Sequence, residues 1–111
     1  MKPRERILAR LALGDEVRPG TLTPRDDLHL DAVHPRDVAL VRIGALLALD
    51  AGTPSLQRGV TDAMLAGVTE DEIVCCLVSL VPALGSARAS AVAPDLALAL
   101  GFDLDAALEQ R

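Results

Sequence analysis

Aromatic side chains are nearly missing. Phe102 is the one aromatic residue among 111, and there is no tryptophan or tyrosine. Base stacking is thereby excluded, and with it the usual platform for single-stranded nucleic acid. Cations are also in deficit: 11 Lys and Arg stand against 16 Asp and Glu, a formal net charge of −5 with a sequence pI near 4.8. That balance argues against a protein that grips a phosphate backbone, so no nucleic-acid partner is expected. Long apolar runs are lacking. The longest stretches lie near Leu46–Leu49 and Ile73–Leu84, well short of the roughly 20 residues that cross a bilayer. The opening Met1–Ile7 is charged and has no apolar segment of secretory type behind it. A cytoplasmic protein without membrane contact is the expectation. Only two cysteines occur, and Cys75 and Cys76 are neighbours. A disulfide between adjacent residues closes a strained ring that a regular helix cannot hold, so neither thiol is a structural staple.

What is present is aliphatic. Half of the residues are apolar, and with so little aromatic volume the core must be built from Leu, Val, Ile and many Ala. Such side chains suit closely packed helices better than a sandwich or barrel, whose strands favour β-branched and aromatic residues. The length fits one domain, 1–111. Charge is unevenly placed. Residues 1–66 carry nine Lys and Arg and nine Asp and Glu, whereas 67–111 carry two Arg and seven acids. These acids either decorate helix N-termini or form an acidic patch for a basic partner.

Residues 3–13 read as a short amphipathic helix with Ile7, Leu8 and Leu11 at helical spacing, stopped by Gly14. Residues 14–34 are polar and carry Pro19, Gly20 and Pro24, which reads as a loop or an arm wrapping a neighbour. Pro35 then opens a helix to about residue 50. Val38, Val41, Ile43, Leu46, Leu47 and Leu49 fill more than one of its faces, so it should be buried within the domain or between subunits. Thr53 and Pro54 read as N-cap and first residue of the next helix, with Gly67 as its left-handed stop. Thr69 and Glu72 have the spacing of a capping box. The helix they open should bury Ile73, Cys76, Leu77, Leu80 and Leu84. Ser86 is placed to cap a further helix that Pro94 kinks or divides, and Asp103 to cap a last turn or two after Gly101. The total is five or six helices and no strand.

The run Ala63-Met64-Leu65-Ala66-Gly67-Val68-Thr69-Glu70-Asp71-Glu72-Ile73-Val74, followed by Leu77-Val78 and Gly85, resembles the carboxymuconolactone decarboxylase family, which includes the alkylhydroperoxidase D proteins. In that family a helix ends Ala-Leu-x-x-Gly, and Gly-[Ala/Val]-Thr-x-x-Glu-Ile opens a buried helix that ends near a Gly. Pro35-Arg36 with Ala39-Leu40-Val41-Arg42 looks like the family's preceding helix, and His34 takes the place of its capping Asp. The resemblance covers about residues 33–101. It implies an all-α orthogonal bundle, AhpD-like and oligomeric. The parts are an N-terminal helix and arm at 1–34, a core at 35–101 and a C-terminal turn at 102–111. It also implies homo-oligomers, trimers or hexamers built from dimers. That agrees with a mean hydropathy of +0.33, because a chain this short buries only about two thirds of its surface alone. Excess apolar surface is most simply hidden between subunits.

The family's chemistry does not carry over. Its Cys-x-x-Cys falls on Gly52 and Ser55, and the His beyond falls on Gly59. Peroxidase turnover needs a thiolate, a resolving thiol and a proton relay, and these three supply none. The Glu that follows the family's Glu-Ile pair is Cys75 here, and a frequent Tyr falls on Ala83, so the decarboxylase acid and base are gone as well. Cys75, Ser79 and Ala83 share one stripe of a helix, which in the family borders the pocket together with the positions of Gly52, Ser55 and Gly59.

Two readings of Cys75 follow: a nucleophilic or peroxide-sensitive thiol, or a small hydrophobe left where activity was lost. A reactive thiol wants a nearby cation or helix N-terminus, but three acids stand just before this one. Cys76 reads as core. Arg88, among Ala87, Ala89 and Ala91, either lines the pocket and binds a carboxylate or pairs with an acid across a subunit boundary. Arg58 and Asp62 are spaced as a surface pair. His29 and His34 lack metal spacing, there is no phosphate-binding Gly loop or nucleophile elbow, and no cofactor or metal is expected.

Two functional classes result. One is a catalytically degenerate oligomeric scaffold, a pseudoenzyme with an apolar pocket for a small apolar or acidic ligand or a partner. The other is a divergent enzyme, of peroxidase (peroxiredoxin) or decarboxylase (lyase) type, with its site reassigned around Cys75, Ser79 or Arg88.

Overall fold

The computed structural model describes residues 1–29 and 32–110. Among them are six α-helices and no strand: α1 (Pro3–Ala12), α2 (Pro35–Ala48), α3 (Thr53–Leu65), α4 (Glu70–Leu84), α5 (Ser86–Leu100) and α6 (Leu104–Glu109). The all-helical class that an aliphatic, aromatic-poor composition favours is the one that forms. Two 3-10 turns, Pro19–Thr21 and Pro24–Asp26, lie between α1 and α2. The chain gathers into two compact units, Met1–Val33 and His34–Arg111. Their boundary falls one residue before the expected break between arm and core.

In the first unit, α1 opens with Pro3, and the Glu5 carboxylate accepts from the Lys2 amide at 3.0 Å. The loop behind α1 is more ordered than its polar sequence suggests. Asp26, 7% exposed, accepts from the Thr23 amide at 2.6 Å and the Thr23 hydroxyl at 3.3 Å. Its other oxygen accepts from Arg10 Nη1 at 3.1 Å, which ties the second 3-10 turn to the end of α1. A buried carboxylate is tolerated where it is paired and hydrogen-bonded in this way. Part of the loop read at 14–34, residues 30 and 31, lies outside the described residues.

The second unit is a helical core. Ile43 and Leu47 of α2, Leu56, Val60 and Ala63 of α3, Ile73 of α4, and Val92 and Leu96 of α5 meet in one cluster with Val68. α2 packs on α3 and α4, and α5 packs on the same two helices. Gly59 lets α3 approach α2 closely, since a Cβ there would stand 2.9 Å from Leu46 Cδ1. Thr69 and Glu72 form the expected capping box, each at 3.1 Å. Glu72 also forms an ion pair with Arg36, so the first turns of α2 and α4 are joined through one carboxylate. The residue opening α2 is His34, whose Nδ1 accepts from the Arg36 amide at 3.1 Å.

Four expectations change. Gly52, not Thr53, caps α3. It has φ +85°, which suits glycine, so Thr53 and Pro54 become the first two helical residues. Ser86 is likewise inside α5, and Gly85 (φ +86°) is both the end of α4 and the cap of α5. Pro94 does not divide α5, which runs unbroken to Leu100. Arg58 and Asp62 form no ion pair among the described residues. Asp103 does cap α6, accepting from the Ala106 amide at 3.0 Å.

Candidate functional site

The sequence concentrates attention on α4, and α4 is where burial departs most from expectation. Of its fifteen residues only Ile73 is buried. Cys76, Leu77, Leu80 and Leu84, expected in the core, are half-buried. Glu70, Asp71, Val74, Cys75, Val78, Ser79, Pro82 and Ala83 are all exposed. Their spacing, in pairs of neighbours recurring every four residues, makes one continuous face. Behind its acidic start that face is apolar, and Val78 at its middle is 65% exposed. α2 behaves in the same way: Ala39, Ile43 and Leu47 are buried, while Val38, Val41, Ala45, Ala48 and the C-cap residue Leu49 are exposed.

Where α2 and α4 meet, Leu40, Val41, Gly44, Ala45, Cys76 and Leu80 line an open groove of about 430 Å³. Gly44 helps to open it, because a Cβ there would reach Leu80 Cδ1 at 3.3 Å. The Cys76 thiol donates weakly to the Leu40 carbonyl at 3.9 Å, and burial pushes its pKa above the ordinary thiol value. A second open cleft of about 290 Å³ lies against α5 and α6, lined by Pro94, Leu98, Phe102 and Leu104 among others.

The residues singled out from sequence do not converge. Cys75 is exposed on the outer face of α4, and the groove takes Cys76 instead. Ser79 lies on that outer face with its hydroxyl donating to the Cys75 carbonyl at 2.8 Å, a bond back into its own helix. Ala83 is exposed on the same face, Ser55 is exposed on α3, and Gly52 is half-buried at the head of α3. Gly59 is buried, and Leu46 fills the space where a side chain would project. Arg88 is exposed and makes no ion pair among the described residues. None of the seven lines the groove or the cleft.

Sequence reasoning missed the groove residues on α2 and the Arg36–Glu72 link. The one available signal was Gly44, a glycine in mid-helix among aliphatic residues, which often marks a close approach. Among the described residues no three His, Cys, Asp or Glu side chains gather as a metal-binding group. No helix of the described residues is long and apolar enough to cross a membrane. The chain matches no family model, no curated protein and no solved structure.

Proposed function

We propose that this protein is a catalytically silent, homo-oligomeric helical scaffold, a divergent relative of the carboxymuconolactone decarboxylase family. Its subunits cover one another's apolar α2 and α4 faces and offer an apolar groove to a small molecule or partner. One observation carries the reading: α4 is apolar on most sides, yet its own chain buries only Ile73. A helix of that kind is made to be covered again, and contiguous exposed apolar surface of this sort marks an interaction site.

Chemical silence has its own support. Gly52, Ser55, Gly59, Cys75 and Ala83 stand where the resembled family keeps its reactive groups, and at Gly59 the vacated volume is occupied by Leu46. A proton relay cannot be rebuilt there without displacing core side chains. In a cytoplasmic setting both thiols would remain reduced.

Sedimentation equilibrium over a wide concentration range tests assembly, with a multiple of the 11.6 kDa chain mass as the expected result. A monomer at every concentration overturns it. The exposure of Cys75 favours a second reading, a peroxidase- or lyase-type enzyme with a reassigned site. Hydroperoxide consumption above that of a free thiol, and lost in Cys75→Ser, would establish that reading in place of the first.

A further inference from the structure

We infer that the outer face of α4 is occupied by α4 of a second copy, packed antiparallel about a two-fold axis near Val78. The inference rests on the oligomeric reading above and specifies its contact. The argument is one of charge and polarity. The exposed face begins with Glu70 and Asp71, continues through Val74, Cys75, Val78, Ser79, Pro82 and Ala83, and is followed past Gly85 by exposed Arg88. No other cation stands between Arg58 and Arg111 in the sequence. Arg88 has no ion pair among the described residues, and neither Glu70 nor Asp71 has one.

An axis through Val78 sets Asp71 opposite Gly85 of the partner subunit, three residues before the partner's Arg88. The same contact is repeated at the other end, as a two-fold requires. Over the roughly 22 Å length of a fifteen-residue helix, acid meets cation at both ends and valine meets valine at the centre. The two helix dipoles oppose one another, which is the favourable sense. Cys75, Ser79 and Ala83 are small and allow close approach of the two backbones. Ser79 brings no unsatisfied donor into the contact, because its hydroxyl is already bonded to the Cys75 carbonyl. A lipid surface fits poorly, since interfacial helices flank their apolar face with Lys and Arg, and this face opens on acids. A parallel pairing would set acid against acid.

The test uses the full chain. Val78→Cys in a Cys75→Ser, Cys76→Ala background, oxidised with copper–phenanthroline, is expected to yield a cross-linked dimer rapidly. Leu49→Cys in the same background, at the exposed apolar C-cap of α2, is expected to lag. Val78→Glu is expected to weaken self-association at least about tenfold while the helical circular dichroism is kept, since the site is open to solvent in the single chain. Arg88→Glu should weaken it as well, and adding Asp71→Arg should restore it, the signature of a pair in contact. An oligomer that survives Val78→Glu unchanged, cross-links no faster at 78 than at 49, or shows no charge-reversal rescue overturns this contact and leaves the scaffold reading standing. A parent chain that sediments as a monomer removes both.

Discussion

Glu72 holds two structural tasks on one carboxylate. One oxygen closes the capping box with the Thr69 amide, and the other meets Arg36 at the start of α2. The two tasks separate by mutation. Thr69→Ala should cost about 1 kcal/mol of unfolding free energy in urea, the usual worth of an N-cap. Glu72→Gln keeps an acceptor for the amide and loses only the ion pair. Both partners are about one-third exposed, so its cost should be under about 1 kcal/mol.

Asp26 is the second informative residue. The Thr23 amide, ahead of the Thr23 hydroxyl and Arg10, holds its carboxyl below the usual aspartate range, against the opposing effect of burial. A depressed carboxylate contributes stability that is present above the unfolded-state pKa and lost as pH falls through the folded-state value. Protection of the Asp26 amide in this 3-10 turn, measured as exchange relative to the intrinsic rate at each pH, should therefore fall on acidification below the unfolded aspartate range. Asp26→Asn should remove that acid dependence. Cys76 gives a prediction of opposite sense. Its raised pKa means less thiolate at neutral pH, so a maleimide should label exposed Cys75 first and reach Cys76 mainly above the ordinary thiol range.

At the scale of elements, starts and stops were legible in the sequence because they are local chemistry. Pro35, Thr69, Gly67, Gly101 and Asp103 act through their own dihedrals or through a bond three residues away. Thr53 and Ser86 differ for an equally local reason: each hydroxyl residue looks like a cap by type, but a glycine one position earlier, Gly52 or Gly85, already holds the turn. Pro94 shows the limit of propensity. It removes the amide that would bond the Ser90 carbonyl, yet packing of Val92, Leu96 and Ala97 carries α5 through it. Pro94→Ala should then stabilise the fold by about 1–3 kcal/mol, read as a raised melting temperature. Gly59 gives the converse. Gly59→Ala requires only the tip of Leu46 to move and gains about 1 kcal/mol of helix propensity, so its net effect should be small. Gly59→His overfills a close-packed contact and should cost several times more.

For the whole molecule, the surface matters as much as the core. Val41 is 70% exposed, Leu49 77% and Val78 65%, and further large apolar side chains, Leu65 and Leu98 among them, are open to solvent on α3 and α5. If assembly covers these faces, the melting temperature must rise with protein concentration, because association stabilises the folded state by mass action. Val78→Glu should flatten that dependence. The candidate site was only partly readable for the same reason. Cys75, Ser79 and Ala83 were recognised as one stripe, because a helical repeat is a property of sequence. Which way the stripe faces depends on where α2 and α5 pack against α4.

By itself the sequence determined the helical class, the order of the helices and most of their ends. Residue identity and local hydrogen bonding settle each of these. Tertiary structure alone decided that Leu46 closes the space at Gly59, that Cys76 rather than Cys75 lines the α2–α4 groove, and that the apolar side of α4 turns outward. Those outcomes depend on contacts between helices distant along the chain. Nothing in the periodicity of one helix encodes which of its apolar faces a neighbour will cover.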